Sequence, residues 1–478
     1  MPEIKIFGLG QQSKSSNITA AHRLNLFYDV QVDVDKSQIA AYPTPGTGLF
    51  SNPSNSKTRG MHWMESVNIL YVVQRNNLIA VLPDQTSSIV ATLAITDIVG
   101  RVSIANNGVQ LCIATGTNVY IFNTTTSVLT NVLTTGANPI PYAADTVTFL
   151  DGYFITNRIN SGQFYVSDVY NGLSWQGLNY ATAESNPDNL MAVIADKGYL
   201  ALFGTSSVEL WVNSGDPLFP FTRVNASPSN AGLAARWSLS YANGFMTGLF
   251  KNKQGALSVC QLNGYQVVPI STTDIDYIIN NYQAPTDAVG FGYYLNGRPF
   301  YQITFQAAQR SWLYDFTSGG WTQLKSWDME RHLSDIGVAF DTNFIVSDHE
   351  NGQLYTLDAD IFNDNGAPIE RELVSGHVFS PSRNNLIIRR LRIDMEGGVG
   401  LISGQGNLPT IMLQISRDGG HSYGNELWTT IGATGQTYER AEWRRLGHAR
   451  DFVFKIRVTD PIKVVIIAAI IEAVELQS

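Results

Sequence analysis

The side chains that could perform catalysis or bind a metal ion are scattered along this 478-residue chain. No two of its seven histidines have the His-x-x-x-His or His-Glu-x-x-His spacing that places two ligands on one helix face. The two cysteines, Cys112 and Cys260, each lie in an apolar run, which predicts buried free thiols and argues against a disulfide framework or a zinc site. The sequence therefore predicts no catalytic residue, no cofactor and no metal ligand.

One short motif, Ser416 to Tyr423 (SRDGGHSY), is similar to the Asp-box hairpin of sialidases and other propellers. In such a hairpin the aspartate, here Asp418, accepts hydrogen bonds from turn amides, and the glycines adopt positive φ angles. Tyr423 stands where that motif has tryptophan. The Asp-box is structural even in enzymes, so we predict a structural hairpin here.

An acidic turn, residues 358–366 (DADIFNDNG), has the composition of a calcium-binding loop. Counted back from Gly366, however, Ile361 and Asn363 would occupy the first and third ligand positions of an EF-hand. Isoleucine offers no oxygen ligand, so the register fails. We predict a solvated linker between two domains.

The charge of the chain is unevenly distributed. Residues 371–478 carry 13 Lys and Arg and 11 Asp and Glu, so the first 370 residues carry 18 and 29, a net charge of −11 against +2. Proteins that hold DNA tightly present a basic surface that releases counterions. The acidic part therefore argues against tight, general DNA binding, although DNA could still pass nearby.

A repeat dominates the middle of the chain. Short apolar strands, each preceded by a turn and followed by an aromatic strand, recur at intervals of 41 to 54 residues. The equivalent positions are Tyr71, Cys112, Phe154, Leu202, Met246, Phe300 and Phe344. Such periods indicate propeller blades, and seven modules could close as six or seven of them. Helical periodicity is limited to Asp274–Asn281.

These patterns predict an all-β protein with three parts. Residues 1–58 are polar and rich in turns, and we expect an extended N-terminal arm that needs another surface to order it. Residues 59–370 form the β-propeller, and residues 371–478 form a C-terminal antiparallel β-sandwich. The longest apolar run, Val464–Ile471, is too short to span a bilayer, so we expect a buried strand and no membrane insertion. The N-terminus lacks the apolar segment of a signal peptide, which predicts folding in a cytoplasm.

The last part of the chain contains a set of basic residues whose role the sequence leaves open. They are Arg389, Arg390, Arg392, Arg444, Arg445, Arg450, Lys455 and Arg457. On the predicted strand LIIRRLRIDM the charges flank apolar positions, which is typical of a solvated face. Arginine is also enriched in protein interfaces, so an interface is an equally good interpretation.

Two stretches of the chain carry a family resemblance. One is 183–188 (AESNPD) followed by 201–211 (ALFGTSSVELW), and the other is 443–461 (WRRLGHARDFVFKIRVTDP), preceded by the SRDGGHSYG hairpin. Both resemble the packaged-DNA stabilisation proteins, also called tail hub or nozzle proteins, of short-tailed bacteriophages. The likeness spans most of the chain, and its motifs consist of packing and turn residues.

The resemblance implies a structural virion protein and not an enzyme. It implies a homohexameric ring below the portal and its head–tail adaptor, in the virion tail, assembled in the host cytoplasm. The ring would retain packaged DNA, form its ejection channel without binding it tightly, and contact tail fibres or tailspikes and a distal plug or needle. We further expect acidic propeller residues to face the lumen and the arginine-rich strands to face protein neighbours.

Two other functions remain open at this point. A sialidase-like, carbohydrate-active propeller that acts on host glycans would have several Asp-boxes within its blades and an arginine cluster at its axis. The sequence shows one such box, outside the repeat. A kelch-like interaction module is the third interpretation, because residues 313–324 (LYDFTSGGWTQL) resemble one kelch unit.

Overall fold

The described part of the chain consists of strands joined by short turns. The computed structural model describes residues 3–4, 18–30, 39–135, 138–183, 188–224, 229 and 231–476. Among the described residues, five strands come before the first blade in sequence: β1 (Glu3–Ile4), β2 (His22–Leu24), β3 (Leu26–Val30), β4 (Ile39–Pro43) and β5 (Gly46–Ser51).

The first four blades are four-stranded antiparallel sheets that follow one another along the chain. Blade 1 contains β6 (Thr58–Met64), β7 (Ile69–Gln74), β8 (Asn77–Val81) and β9 (Ser87–Thr92). Blade 2 contains β10 (Ser103–Asn106), β11 (Gln110–Ala114), β12 (Val119–Asn123) and β13 (Val128–Asn131). Blade 3 contains β14 (Val147–Leu150), β15 (Tyr153–Asn157), β16 (Gln163–Val166) and β17 (Tyr180–Thr182). Blade 4 contains β18 (Leu190–Asp196), β19 (Tyr199–Gly204), β20 (Val208–Asn213) and β21 (Phe221–Arg223).

The remaining three blades depart slightly from this plan. In blade 5 the first strand is split, and the blade contains β22 (Gly232–Leu233), β23 (Ser240–Ala242), β24 (Phe245–Lys251), β25 (Leu257–Asn263) and β26 (Gln266–Pro269). Blade 6 contains β27 (Val289–Leu295), β28 (Arg298–Phe305), β29 (Arg310–Asp315) and β30 (Gly320–Leu324). Blade 7 takes β31 (Ser334–Phe340), β32 (Asn343–Asp348) and β33 (Leu354–Asp358) from this region and its fourth strand from β5.

Helices are a small minority of the described residues. The α-helix α1 (Thr273–Asn280) lies between blades 5 and 6, one residue from the segment that the helical periodicity predicts. Single turns of 3-10 helix occupy Glu65–Val67, Arg236–Ser238 and Pro285–Asp287.

Seven apolar cores, one between each pair of neighbouring blades, close the ring. Leu70, Val72 and Ile79 of blade 1 pack with Phe340 and Ile345 of blade 7, so the last blade meets the first. The other six cores join consecutive blades in the same way. Full burial of one such aliphatic side chain contributes about 1.5–3 kcal/mol. The propeller prediction is confirmed, and the ring has seven blades. The seven positions identified from the repeat lie in β7, β11, β15, β19, β24, β28 and β32, the second strand position of successive sheets.

The strand β5 completes blade 7 from the opposite end of the propeller sequence. It pairs with β33 in an antiparallel ladder in which Gly48 lies opposite Thr356. Its side chain Phe50 enters the core between blades 7 and 1. A Cβ atom at Gly46 would lie 2.4 Å from the Ile361 carbonyl oxygen, so only glycine fits where β5 begins.

The prediction that residues 1–58 form an extended arm is wrong for most of the described part of that segment, and the surface that orders it belongs to the same chain. Residues 22–30 and 39–51 form strands that pair within the same chain. Composition misled the prediction because β2 and β5 pair with strands that are far away in sequence, beyond the reach of local patterns. Thr356 and Gly48, for example, are 308 residues apart. Residues 5–17 and 31–38 lie outside the described residues.

The C-terminal part contains two sheets that pack face to face. The strands that follow the propeller blades in sequence are β34 (Asn363–Asp364), β35 (Ala367–Pro368), β36 (Arg371–Val374), β37 (Val378–Phe379), β38 (Leu386–Met395), β39 (Thr410–Ser416), β40 (Leu427–Thr430), β41 (Ala441–Ala449), β42 (Asp451–Val458) and β43 (Ile466–Glu475). Of these, β34 and β35 extend the sheet of blade 7, and the others belong to the sandwich. One sheet has the order β3-β4-β43-β38-β41, and the other contains β36-β42-β39-β40. They enclose one apolar core. The β-sandwich is confirmed, and β43 contains most of the apolar run predicted as a buried strand.

Candidate functional site at the propeller–sandwich junction

One continuous sheet joins the propeller to the sandwich. The short strand β2 pairs in parallel with β30, the last strand of blade 6, and antiparallel with β36 of the sandwich. The sheet then continues through β42, β39 and β40. Backbone hydrogen bonds therefore connect the two domains, in addition to side-chain contacts.

Asn25, the residue after β2, fixes the junction through both its backbone and its side chain. Its side-chain nitrogen donates to the backbone carbonyls of Lys325 and Glu370 at 2.8 Å each, and its side-chain oxygen accepts from the backbone amide of Lys325 at 3.0 Å. Its backbone amide donates to the Gln323 carbonyl, and its carbonyl accepts from the Thr44 amide. Asn25 has φ 54°, a conformation that asparagine tolerates better than most residues. It therefore links blade 6, the interdomain linker and the segment before β5.

Charged and polar groups surround β2 on the sandwich side. The His22 ring lies 2.9 Å from the Gln323 side-chain oxygen and 3.8 Å from the Glu372 carboxylate. Lys455 lies 3.8 Å from the same carboxylate. Burial opposes ionisation of Glu372, but its hydrogen bond with His22 and the charges of Lys455 and Arg457 outweigh burial and lower its pKa. Glu372 is therefore a largely buried carboxylate that the cations of β42 help to keep ionised.

Two arginines are completely enclosed at this junction. The Arg23 guanidinium donates to the Trp321 carbonyl at 2.6 Å and lies 4.1 Å from the centre of the Tyr28 ring. The Arg371 guanidinium donates to the Phe362 carbonyl at 3.1 Å. Burial lowers the pKa of Arg371 to about 10, so it remains charged at neutral pH.

A cavity of about 400 Å³ opens beside the junction. Its wall includes Phe27, Tyr42, Arg298, Phe362 and Lys463. Arg298 is held by Asp29 at 2.9 Å and Asp315 at 2.5 Å, so its charge is already neutralised. This arrangement stabilises the contact between the β3–β4 hairpin and blade 6.

A second charged cluster lies where blade 7 meets blade 1 and closes the propeller. Asp335, on the first strand of blade 7, is fully buried and contacts Arg101 at 2.8 Å, Arg331 at 3.2 Å and Lys57 at 3.3 Å. Burial raises the pKa of Asp335, but the three cations outweigh it and lower the value overall. Lys57 and Arg101 flank blade 1, so the cluster connects blade 7 with blade 1.

The Asp-box segment forms the structural turn that the sequence predicts. It connects β39 to β40, and the Asp418 carboxylate accepts hydrogen bonds from the His421 and Ser422 amides at 3.1 and 2.9 Å. It also accepts from the hydroxyls of Ser416 and Ser422. These bonds lower the pKa of Asp418 well below its usual range. The carboxylate stabilises the turn in the sandwich, away from the propeller blades.

Both cysteines lie in apolar cores of the propeller. Cys112 and Cys260 are buried free thiols in the cores between blades 2 and 3 and between blades 4 and 5. Burial raises the pKa of Cys112 above its ordinary range and that of Cys260 to about 12, so neither forms a reactive thiolate at neutral pH. Within the described ranges, no three His, Cys, Asp or Glu side chains are grouped in a way that could hold a metal ion. No helix in those ranges is long and apolar enough to cross a membrane.

The acidic turn differs from the solvated linker that the sequence predicts. Residues 363–368 form the small hairpin β34–β35, whose first strand also pairs with β5. Asp364 is buried and accepts hydrogen bonds from Thr47 at 3.3 Å and Ser326 at 2.8 Å. The turn therefore packs against blade 7 because its aspartate has partners that are distant in sequence.

Asn25 and Asp335 carry no local motif that would reveal these roles. Their partners come from segments far apart in the chain. Predicting these contacts would have required knowing both the repeat and the way blade 7 packs against blade 1. The predicted basic set lies on the sandwich, where Arg389, Arg390, Arg444 and Arg445 line one concavity.

Comparison with known proteins identifies the family for nearly the whole chain. The family model described as "Bacteriophage P22 Gp10, beta-propeller" matches residues 3–362, and that described as "Bacteriophage P22 Gp10, beta-sandwich" matches residues 370–474. No curated protein sequence matches.

Several solved structures are similar at low identity. YCF48 from Cyanidioschyzon merolae has 12% identity, with 66% of this chain and 99% of that chain covered and a TM-score of 0.44. The Pan2 WD40 domain of Neurospora crassa has 10% identity, with 69% and 97% covered and a TM-score of 0.41. The virginiamycin B lyase of Staphylococcus aureus has 9% identity, with 64% and 96% covered and a TM-score of 0.45. At these values the likenesses say nothing about function.

Proposed function

The chain belongs to the bacteriophage P22 Gp10 family of structural phage proteins, and we propose that it is the subunit of a homohexameric tail hub, or nozzle, ring in a short-tailed phage. In this proposal the ring lies below the portal and the head–tail adaptor. It retains the packaged DNA and provides the channel through which the DNA leaves. Tail fibres or tailspikes and a distal plug or needle attach to it, and assembly takes place in the host cytoplasm.

The observation that carries the proposal is the sheet that continues from blade 6 through β2 into the sandwich. A subunit that seals pressurised DNA must transmit force between its domains without hinging. Interfaces between domains in one chain usually permit relative motion unless they are large and apolar. Here backbone hydrogen bonds and the Asn25 contacts join the domains instead, which suits a rigid building block.

The chemistry of the described residues also suits a structural role. The buried charged groups at the junction and at the ring closure are paired with one another or with backbone carbonyls. The Asp-box aspartate is occupied by its own turn. These groups stabilise contacts between domains and blades, and their arrangement offers no pair of carboxylates poised around a substrate.

Electron microscopy of the purified chain, alone and mixed with its portal and adaptor, tests the proposal. We expect six copies in a ring below the adaptor. Phage particles assembled without the chain should package DNA and then lose it, which a nuclease-protection assay measures. A chain that stays monomeric with the adaptor, or particles that retain DNA without it, would contradict the proposal.

A further inference from the structure

Two Arg-Arg pairs lie side by side on the outer face of the sandwich. They occur in matching sequences, Ile388-Arg389-Arg390-Leu391 in β38 and Trp443-Arg444-Arg445-Leu446 in β41. In each, the flanking apolar side chains are buried and both arginines point away from the core, although neighbouring strand residues normally face opposite sides. A strand can show two successive side chains on one face only where its register is interrupted.

β-Bulges supply that interruption in both strands. Along β38, the ladder with β43 passes from Ile388 to Arg390 and leaves Arg389 unpaired. The ladder with β41 shifts at the same place. Arg445 has φ 59° and Gly447 has φ 89°, so the backbone of β41 is also distorted there. Bulges commonly redirect side chains at functional positions, and strain in non-glycine residues concentrates at such sites.

Beside the bulges lies a concavity of about 560 Å³ that is lined by Arg389, Arg390, Arg444, Arg445 and Glu472. Arg392 and Glu442 are joined to these residues by ion pairs, and the seven residues together are here called the arginine patch. Five arginines and two glutamates give it a net charge of +3. Arg390, Arg392 and Arg444 contact Glu442 or Glu472 at 2.7–3.7 Å. None of the ion pairs among the described residues includes Arg389 or Arg445, and both are exposed.

We propose that the arginine patch binds the acidic propeller surface of a second copy of this chain and so forms the contact between neighbouring subunits of the ring. This inference rests on the proposed function. The exposed acidic side chains of the described propeller are Glu65, Asp84, Asp151, Asp216, Asp328, Glu330, Asp341, Glu350, Asp358 and Asp360. Its exposed basic side chains are Arg75, Lys197 and Lys253.

Charge complementarity between two different surfaces of one chain favours a head-to-tail contact. Such a contact repeats from copy to copy and closes into a ring when the rotation allows it. A DNA strand fits the patch less well, because Glu442 and Glu472 lie between the arginines and would repel successive phosphates. Protein interfaces, in contrast, often combine arginine with interleaved carboxylates.

Sedimentation velocity of the full chain with its adaptor tests the inference. The variant Arg389→Ser/Arg445→Asn removes the two unpaired guanidinium groups, and asparagine tolerates the φ angle of position 445. The control Arg75→Asn/Arg450→Ser changes two exposed arginines elsewhere, one of them also at positive φ (52°). We expect the control to form rings like the unaltered chain and the patch variant to remain monomeric with unchanged circular dichroism. Rings of normal stability in the patch variant would overturn the inference but leave the proposed function intact.

Cross-linking then identifies what the patch contacts. In Arg389→Lys/Arg445→Lys the charge is kept and each position gains an amine that a carbodiimide can couple to a neighbouring carboxylate. We expect cross-links between subunits that join these lysines to propeller Asp or Glu residues. Cross-links confined to the sandwich, or loss of DNA binding without loss of assembly in the serine and asparagine variant, would overturn the inference. If the unaltered chain forms no ring, the proposed function itself fails.

Discussion

His62 is a half-buried histidine whose environment favours the neutral ring. It lies on the first strand of blade 1, where the Asn106 amide donates to its Nε2 atom at 2.7 Å. Burial lowers the pKa of His62 to about 4, from an ordinary value near 6.5. Between pH 6.5 and 4 the unfolded chain therefore binds a proton at this residue and the folded chain does not. The contribution of His62 to stability is complete above pH 6.5 and is lost as the pH falls through that range.

The variant His62→Asn should remove this part of the acid sensitivity. The free energy of unfolding is measured with urea at pH 7 and at pH 4.5. We expect its decrease between these two pH values to be smaller in the variant than in the unaltered chain, by on the order of 2 kcal/mol. His448→Asn, at an exposed histidine, is the control and should show the ordinary pH dependence. If the free energy of unfolding had the same pH dependence in His62→Asn and in the unaltered chain, the His62 imidazole would take up a proton in the folded state as well.

Asp335 offers a second prediction about a single residue. The substitution Asp335→Asn leaves Arg101 and Arg331 in a buried site without their carboxylate. Breaking a buried ion pair in this way costs about 3–5 kcal/mol. The control is Glu330→Gln, which removes an exposed partner 2.7 Å from Arg310 and should cost less than about 1 kcal/mol. Similar urea midpoints for the two variants would mean that solvent replaces the lost charge at Asp335.

At the scale of the element, the strands before the propeller are part of its closure. Truncation before His22 removes only β1 among the described strands, whereas truncation after Ser51 removes β1–β5. We expect the shorter truncation to retain cooperative thermal unfolding. The longer one should lose it, because blade 7 loses its fourth strand and the sandwich loses its link to blade 6. Circular dichroism and limited proteolysis measure both outcomes. If the longer truncation gave a protease-resistant protein that unfolds cooperatively, the propeller would be stable without these strands.

The sequence contains enough local information to predict the blades but not their closure. In blades 3 to 6 the turn between the first two strands carries a visible signal, namely Asp151-Gly152, Lys197-Gly198, Asn243-Gly244 and Asn296-Gly297, all with positive φ angles. Such pairs favour the tight turn between two strands. The pairings of β2 and β5 join segments far apart in sequence, so no local pattern predicts them. The arginine patch falls between these cases, since the two Arg-Arg pairs break a two-residue alternation and thereby indicate the bulges.

At the scale of the whole molecule, the acidic charge lies mainly outside the first strands of the blades. These strands contact one another around most of the ring, and they contain Arg59, Asp196 and Asp335 as their charged residues. Asp335 is neutralised by its cations. The excess of carboxylates therefore belongs to turns, connecting segments and outer strands. If the subunits form a ring, these parts of the propeller are the ones able to face its lumen.

The last prediction concerns DNA in that lumen. A channel that lets DNA pass must not hold it, and each phosphate neutralised by Lys or Arg adds affinity through counterion release. The exposed charged residues of the described propeller are mostly acidic, and the arginine patch is covered in the ring that we propose. We therefore expect the assembled ring to bind duplex DNA more weakly than a dissociation constant of about 100 μM at physiological salt, the weak limit of ordinary non-specific binding, as measured by fluorescence anisotropy. If Asp328, Glu330 and Asp341 face the lumen, replacing them with lysine should create salt-dependent DNA binding. Lysine substitutions on the outer surface should leave the passage of DNA through the ring unchanged. A micromolar or tighter complex with the unaltered ring, or a density map that shows Lys and Arg lining the lumen, would contradict the prediction, because the DNA would then be retained by charge and its exit would depend strongly on salt.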